Sequence, residues 1–323
     1  MFRESLKILL TNCFLLLFQA SCTLGGGKNG KLPKSTGQPY EVVLEGDTDS
    51  IVTKILTEEV PALPQPEPLC RLIQVKKGKT HGSYLLVRTR IVVNIPAEEF
   101  SVGLSRNENA SPQTVIRISA RSPQQLKEKL NPEKLRQLVD EAELEHLASI
   151  ISTNPSKQNR EMQQLVKKNF GISMNIPAEM QASKKAKNFS WISNNASSGM
   201  KNLIIMKMKE VKSEGQRAEE VKSEERRVKN SDVFSAQEKQ QIDSMLRTNM
   251  PGETDSMYMM LPVLSERGLW EMKGDAMGGP YVMQRIHLGK TGDEIIIIGF
   301  VYAPEMKKKI LIKQLEAAIS TIK

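Results

Sequence analysis

Cysteine is scarce in this sequence, and its placement excludes an internal disulfide. The 323 residues include three cysteines, Cys13, Cys22 and Cys70. Cys13 lies in an apolar N-terminal leader and Cys22 at its end, so Cys70 alone remains in the folded part. Because Leu69 and Leu72 lie beside Cys70, we expect a small buried side chain there, and a reactive thiol is the less favoured alternative.

Aromatic residues are also few, and charge of one sign is never concentrated. Phe, Trp and Tyr make up 5% of the chain, so methionine and aliphatic side chains must fill much of the core. The 16 methionines lack the nearby His or Cys that would indicate a copper site. The formal charge is +9, but acidic and basic residues are interspersed. This pattern indicates a solvated surface, and no nucleic-acid partner is predicted.

The motifs of common enzyme classes are missing as well. Residues 289–291 (GKT) imitate the end of a phosphate-binding loop, but Gln284 stands where that loop needs a glycine. The histidines His81, His146 and His287 are far apart and have no second ligand at metal-binding spacing. No G-x-S-x-G motif occurs, and no cysteine has an evident histidine partner. The sequence therefore predicts no catalytic set, no metal site and no cofactor.

The N-terminal residues have the composition of an export signal. A charged start with Arg3 and Lys7 precedes the apolar run 8–18. This run is too short for a helix that crosses a bilayer, which needs about 20 residues. We therefore interpret residues 1–21 as a signal peptide.

The signal ends in Gln19-Ala20-Ser21-Cys22, which resembles the lipobox of Gram-negative lipoproteins. In those proteins the Cys thiol receives a diacylglycerol, and the amine that cleavage frees is acylated too. Gln19 departs from the Leu that is usual at that position. Because several acyl chains give stable anchoring, we predict that Cys22 holds the protein at a membrane. Thr23, and not Asp, follows Cys22, and resemblance to the sorting rules of some Gram-negative bacteria implies the outer membrane. The alternative is an ordinary secretory signal cut near Ala20 or Ser21.

Residues 22–39 form a predicted flexible tether, rich in glycine, lysine and small polar residues. Such a coil separates its ends by on the order of 20–25 Å, which keeps a folded body close to the membrane but free to turn. Lys28, Lys31 and Lys34 are placed to touch anionic head groups, with solubility as the simpler interpretation.

The rest of the chain predicts an α+β fold with mixed or antiparallel sheets and packed helices. Caps at Ser122 and Asn131 and a capping box at Ser235 predict three helix starts, and Pro304 predicts the start of a final helix. Strands and helices mix without strict alternation, which favours α+β. Strands are predicted at 40–44, 70–75, 84–93, 114–119, 172–176, 189–193, 203–208, 257–261, 269–273, 281–288 and 294–302.

We expect two α+β subdomains, at 40–155 and 156–323. Both carry several strands and end in a helix, a pattern compatible with two related subdomains. A degenerate duplication at 210–229, EVKSEGQRAE followed by EVKSEERRVK, predicts an exposed charged insertion in the second.

Five segments carry a resemblance to a known family: 34–47, 60–68, 250–259, 268–282 and 299–319. Together they resemble the domain-of-unknown-function family 4837, a group of Gram-negative envelope lipoproteins. The resemblance supports a lipoprotein and implies no activity, because the family has none assigned. The insertion at 210–229 is the least typical segment.

One segment has the composition of a ligand-binding loop. Trp270, Asp275, Gly278, Gly279 and Tyr281 place aromatic rings and a carboxylate around a glycine-rich turn. Such a loop can stack on a sugar ring or a peptide. The alternative, which we favour, is a tight turn between paired strands.

An anchor, a tether and a body without a catalytic set favour a non-enzymatic binding or interaction module of the cell envelope. Its expected partners are the membrane, through N-terminal acyl chains, and an envelope protein or glycan. Its expected location is the outer membrane, facing the periplasm or the cell surface. The alternative is a hydrolase or transferase acting on envelope glycan or peptide through Asp47, Asp49 or Asp275, although Asp47 and Asp49 more simply cap the following helix.

Overall fold

The structure is a computed structural model that describes residues 31–209, 234–252, 254, 256–288 and 292–323. The predicted signal, Cys22 and most of the tether lie outside these residues, as do the insertion at 210–229 and the turn at 289–291. The helices and strands of the described residues belong to one unit, Pro33–Lys323.

Within the described ranges, twelve strands and six α-helices alternate irregularly, and two short 3-10 turns occupy Gly82–Leu86 and Pro155–Lys157. None of these helices is both long and apolar enough to cross a bilayer. In chain order the elements are β1 Glu41–Glu45, α1 Ile51–Leu56, β2 Arg71–Val75, β3 Thr89–Asn94, β4 Ser101–Arg106, β5 Thr114–Ser119, α2 Pro123–Lys129, α3 Pro132–Thr153, α4 Arg160–Phe170, β6 Ala182–Ala186, β7 Phe189–Ser193, β8 Met200–Lys209, α5 Ala236–Asn249, β9 Tyr258–Met260, β10 Arg267–Lys273, β11 Gly278–Leu288, β12 Asp293–Tyr302 and α6 Lys309–Ile319.

Local capping chemistry sets the helix starts as predicted. Ser122 accepts a hydrogen bond from the backbone N–H of Gln125, and Asn131 accepts one from that of Lys134. Before α5 the Ser235 side chain accepts from the backbone of Glu238, and the Glu238 side chain accepts from the backbone of Ser235. Each cap satisfies N–H groups that the first helical turn leaves without a partner, so these starts are visible in the sequence.

The first sheet is mixed, in the order β2-β1-β3-β5-β4. Its first four strands are parallel, and β4 runs antiparallel to β5. Because parallel connections are right-handed, β1 to β2 crosses one face through α1, while β2 to β3 must cross the other. On that second face the backbone N–H of Gly78 donates to the Glu45 carboxylate at 2.5 Å, and the Thr80 hydroxyl donates to it as well.

The second sheet is antiparallel, in the order β6-β7-β8-β12-β11-β10-β9. Helices cover both of its faces, so its central strands are buried on both sides. This explains the continuous apolar runs 203–206 and 295–298, which show no period-two alternation. The two sheets differ in strand number and direction, so the two halves are not repeats of one topology.

Helix α6 joins the two halves. Its Ile312, Leu315 and Ile319 pack with α4 against the second sheet, whereas Ala317 belongs to the core between the first sheet and the helices α1, α2 and α3. Helix α5 covers the opposite face of the second sheet through Ile242 and other residues. The layers are therefore the first sheet, the helices α1–α3, the helices α4 and α6, the second sheet and α5.

The α+β prediction is confirmed, and five details of it are wrong. The strand predicted at 84–93 begins only at Thr89, because Gly82–Leu86 form a 3-10 turn. Residues 172–176 form no strand: Ile172, Met174 and Ile176 are buried, but their backbone bonds single residues, Ser173 with Lys323 and Ile176 with Asn159, and joins no sheet. Strands β4 and β6 were not expected, because their exposed residues lack an apolar pattern. The final helix begins at Lys309, five positions after Pro304.

Candidate functional site

The described residues contain a row of titratable side chains on helix α3, two of them buried and one half-buried. Asp140, Glu143 and His146 are spaced three residues apart, which places them along one helix face. Glu143 is fully buried and His146 is 8% exposed. Charged and polar groups are rarely buried to this extent unless they are paired. The partners of these three side chains therefore show which elements the row connects.

The Glu143 carboxylate fixes the start of the first sheet. One oxygen accepts a hydrogen bond from the backbone N–H of Tyr40 at 2.9 Å, and the other accepts one from the Thr89 hydroxyl at 2.5 Å. Nη1 of Arg88 lies 3.6 Å from the same carboxylate. Glu143 therefore holds β1, β3 and α3 in register and supplies the counter-charge of Arg88.

The row continues from Tyr40 into the second half of the chain. The Tyr40 hydroxyl donates to Oδ1 of Asp140 at 2.6 Å, and Nζ of Lys313 lies 2.6 Å from Oδ2. Lys313 also lies 3.1 Å from Glu316, whose other oxygen lies 2.6 Å from Arg267 on β10. Burial, followed by the Asp140 charge, raises the pKa of Tyr40 far above its ordinary range, so the phenol stays neutral.

At its other end the row opens into a polar cleft of about 250 Å³. The cleft lies where the residues that precede β3 and β5 meet helix α3. Arg88 comes directly before β3 and Gln113 directly before β5, while His146 projects from the helix. The cleft is lined by Arg88, Arg106, Asn107, Pro112, Gln113, Thr114, Ala142, Glu145, His146 and Ser149.

Part of the cleft wall is fixed by hydrogen bonds within the protein. Arg106 donates to Thr114 at 3.0 Å and pairs with Glu145 at 2.8 Å at the exposed rim. The side-chain amide of Gln113 donates to the backbone carbonyls of Leu85 and Val87. These side chains have their partners and give the cleft a defined shape.

Two buried side chains in the cleft keep spare hydrogen-bonding atoms. Nε and Nη1 of Arg88 and Nδ1 of His146 have no hydrogen-bond partner among the described residues. The two residues are only 9% and 8% exposed. Burial, and then the charges of Arg88 and Lys34, lower the pKa of His146 to about 4. At neutral pH the imidazole is therefore uncharged and carries one donor and one acceptor nitrogen.

The sequence did not single out this site. The apolar stripe of α3 was visible, and the polar residues at 140, 143 and 146 run beside it at helical spacing. That regular spacing was the available signal. The partners of these residues come from positions as far away as Lys313, and local patterns do not indicate such contacts.

The predicted ligand loop lies at the β10–β11 hairpin, and its aromatic rings point into the core. Trp270 is 3% exposed and donates from Nε1 to the Val301 carbonyl at 3.0 Å. Tyr281 is fully buried and donates from its hydroxyl to the Val263 carbonyl. Neither ring offers a free face for stacking on a sugar or peptide, a placement that fits the tight-turn alternative.

The remaining loop residues serve the same turn. A Cβ on Gly279 would stand 2.1 Å from the Val301 carbonyl oxygen, and one on Gly278 would stand 2.9 Å from that of Trp270. Asp275 is exposed at the hairpin tip, where its carboxylate accepts from the backbone of Ala276. The glycines are therefore required by close backbone approach.

The other candidate residues, Asp47, Asp49 and Cys70, have local hydrogen bonds or are buried in the core. Both oxygens of Asp47 accept hydrogen bonds from the first turn of α1, at Val52 and Thr53. Asp49 accepts from the Thr48 hydroxyl. Cys70 is buried, and burial raises its pKa to about 12. Across the described ranges, no three His, Cys, Asp or Glu side chains are grouped as metal ligands.

A second buried charge cluster ties α5 to the second sheet. Arg285 on β11 contacts Glu238 of α5 and lies 2.6 Å from Glu294 of β12. Nδ1 of His287 lies 2.8 Å from the same oxygen of Glu294. Burial opposes ionisation of Glu294, but hydrogen bonds from His287 and Arg285 outweigh it and lower the pKa of that carboxyl. One arginine between two carboxylates gives this cluster a structural role in holding α5.

Comparison with known families divides the chain into two parts. A family model described as Domain of unknown function (DUF8532) matches residues 35–152, and a second, Domain of unknown function (DUF4837), matches residues 159–321. The two N-terminal segments of the resemblance, 34–47 and 60–68, fall in the first match, and the other three fall in the second. Searches of curated proteins and of solved structures found no match. Because the second match spans half of the 323 residues, the chain belongs to the family Domain of unknown function (DUF4837).

Proposed function

We propose that this chain is a lipid-anchored binding protein of the cell envelope and has no catalytic activity of its own. In this proposal acyl chains on Cys22 hold it at the outer membrane, residues 22–39 act as a tether, and the folded body faces the periplasm or the cell surface. Its partners are the membrane and an envelope protein or glycan. The observation that carries the binding role is the polar cleft beside α3, where Arg88 and His146 are buried with unused hydrogen-bonding atoms.

The anchor follows from the N-terminal sequence. An apolar run shorter than a membrane span, followed by Ala20-Ser21-Cys22, is the pattern of a signal that is cleaved before an acylated cysteine. One acyl chain gives marginal membrane binding, and two or more make it stable. A tether rich in glycine lets the body reach partners close to the membrane surface.

The catalytic alternative is weaker because Asp47 already accepts hydrogen bonds from α1 and Asp275 lies at a different sheet from Asp47 and Asp49. A hydrolase that uses two carboxylates needs both to face one substrate. Asp47 caps α1 beside the first sheet, whereas Asp275 lies at a hairpin tip of the second sheet. Neither lines the cleft that holds Arg88.

The anchor is tested in the native host by labelling with a fatty acid and by cell fractionation. Cys22→Ser removes the acylated thiol, and Cys13→Ser is the matched control because it changes a cysteine inside the predicted signal. We expect the wild-type chain and the Cys13→Ser chain to be labelled and to require detergent for extraction. The Cys22→Ser chain should carry no label. An unlabelled wild-type chain, or a Cys22→Ser chain that keeps its label, would contradict the anchor.

The absence of catalysis is tested with the full-length chain against envelope glycans and peptides. We expect no product from the wild-type chain beyond that of a heat-inactivated sample. Product that disappears in the Asp275→Ala or Asp47→Asn variant would establish the hydrolase or transferase alternative instead.

A further inference from the structure

We propose that the cleft beside α3 binds one small oxyanion, a carboxylate or a phosphate group, through Arg88 and His146. This inference deepens the proposed binding role, and it rests on that role only for its biological purpose. It gives the cleft a ligand class, which neither family match supplies.

Arg88 has unused hydrogen-bonding capacity. Its guanidinium group keeps its charge at any physiological pH and carries five N–H donors. Nη2 donates to the Gly37 carbonyl at 3.2 Å, while Nε and Nη1 have no acceptor among the described residues. Glu143, at 3.6 Å, balances the charge but lies beyond hydrogen-bond distance. A buried donor without an acceptor is unfavourable, and an oxygen of a bound anion supplies the missing acceptor.

Cations outnumber carboxylates around the cleft. Arg88 and Arg106 line it, and Lys34 is close enough to lower the pKa of His146. Of the nearby carboxylates, Glu143 already accepts hydrogen bonds from the sheet, and Glu145 is exposed at the rim beside Arg106. Buried Arg88 is balanced by Glu143, while exposed Lys34 and half-exposed Arg106 face Glu145 alone at the rim, so the surroundings of the cleft carry one positive charge in excess. An anionic group is the ligand that such a site complements.

The imidazole of His146 is uncharged at neutral pH. His146 lines the same cleft as Arg88 and Ser149, and the Ser149 hydroxyl already donates to the His146 carbonyl. A neutral imidazole can donate one hydrogen bond to an oxyanion, and it can accept one from a protonated phosphate oxygen. Binding of an anion beside it must also favour its charged form, so the pKa of His146 should rise on binding.

The size of the cleft limits what enters it. A volume of about 250 Å³ is below the range of pockets that hold drug-sized molecules, roughly 300–1,000 Å³. It fits a free small anion or the terminal anionic group of a larger envelope molecule. The cleft is too small to enclose a longer stretch of a glycan or peptide chain.

The proposal is tested by calorimetric titration of the full-length chain in detergent micelles. Sodium phosphate and sodium acetate are titrated separately at neutral pH and constant ionic strength, with sodium chloride as the reference. We expect one phosphate or one acetate to bind per chain. The anion that binds more tightly, phosphate or acetate, indicates whether the natural ligand carries a phosphate or a carboxylate group. If neither anion binds to the folded wild-type chain, the proposal fails.

Two variants locate the binding. Arg88→Met removes the buried donors, and Ser149→Leu fills the cleft while it leaves the Arg88–Glu143 contact in place. We expect each to weaken binding by about tenfold or more. Arg71→Met is the matched control, because Arg71 lies on the same sheet with its side chain 78% exposed, and it should bind as the wild type does. Wild-type affinity in the Ser149→Leu variant would overturn the proposal even if Arg88→Met fails to fold.

An NMR titration of the three histidines gives an independent readout. We expect saturating anion to raise the pKa of His146 by about one unit or more, while the imidazole signals of His81 and His287 at a fixed neutral pH do not move when anion is added. An unchanged His146 pKa under saturation would place the anion elsewhere and overturn the assignment. Because these measurements do not depend on Cys22, failure of the anchor and failure of the anion site are distinguished.

Discussion

The ammonium group of Lys313 lies 2.6 Å from Oδ2 of Asp140, although the two residues are 173 positions apart. Lys313 is 2% exposed, and its partner also accepts a hydrogen bond from Tyr40. This contact connects the last helix, α6, to α3 and so holds the two halves together. A cation buried at such an interface is tolerated only because an anion lies beside it.

Replacing Lys313 with Met should therefore destabilise the protein. The change leaves Asp140 without its cation in a half-buried position, so we expect a loss of about 2–4 kcal/mol in the free energy of unfolding. Urea denaturation measures it. The Lys313→Met/Asp140→Asn double variant should lose less than the sum of the two single changes. Lys307→Met, at an exposed position before the helix, should change stability by less than about 0.5 kcal/mol. Additive losses would show that the two residues do not interact.

Replacing Glu143 with Gln should also destabilise the fold. A Gln side chain has one carbonyl oxygen, so it cannot accept from both Tyr40 and Thr89, and Arg88 loses its buried counter-charge. We expect a loss of about 1–3 kcal/mol. Glu141→Gln is the matched control, because Glu141 is on the same helix and exposed. Equal denaturation midpoints for the two variants would show that Glu143 stabilises the fold no more than the exposed Glu141 does.

Most of the fold could be predicted because its signals are local. The caps at Ser122, Asn131 and Ser235 are short-range hydrogen bonds, and the buried strands of the second sheet have continuous apolar runs. The edge strands β4 and β6 gave no such signal, because pairing with a neighbour, and not burial of their own side chains, holds them. The irregular segment 172–176 shows the reverse error, since its alternating apolar residues reflect burial without a sheet.

The candidate site could not be predicted in the same way. Whether Glu143 and His146 are buried depends on Tyr40, Arg88 and α6, which lie far away along the chain. By contrast, Trp270 and Tyr281 gave the segment a composition typical of a ligand loop, yet their rings are buried in the core. Composition alone does not indicate which side of a sheet a ring will face.

The β10–β11 hairpin provides a steric prediction. In the Gly279→Ala variant the new Cβ would stand 2.1 Å from the Val301 carbonyl oxygen, so β11 must shift away from its neighbours. We expect a loss of about 1–3 kcal/mol. The matched control is Gly103→Ala on β4, where nothing lies within 4 Å of the added atom. If thermal or urea unfolding gives the two variants the same stability, the close approach at Gly279 is refuted.

The buried thiol of Cys70 should be inert in the folded protein. Burial raises its pKa to about 12, and the thiolate is the reactive form. In a chain carrying Cys13→Ser and Cys22→Ser, a disulfide reagent at mildly alkaline pH should react with Cys70 only after denaturant is added. Adding Ser101→Cys, at an exposed edge-strand position, should restore a fast reaction under native conditions. Rapid native labelling without that added cysteine would show that Cys70 is accessible.

His146 should make the folded state sensitive to mild acid. Its pKa is lowered from an ordinary value of 6.5 to about 4, with burial as the largest cause. As pH falls below 6.5 the unfolded chain takes up the proton first, so the stabilisation present above that pH is lost progressively as pH falls through 4.

We expect His146→Gln to remove this part of the acid sensitivity, on the order of 2 kcal/mol between neutral pH and pH 4. The measurement is the difference in unfolding free energy between the variant and the wild type as a function of pH. The exposed residue His81 provides the control, since His81→Gln should leave the pH dependence of the wild type in place. A His146→Gln chain that loses stability in parallel with the wild type down to pH 4 would mean that the imidazole is solvated. In that case the cleft would not hold the buried, uncharged imidazole from which the anion site is argued.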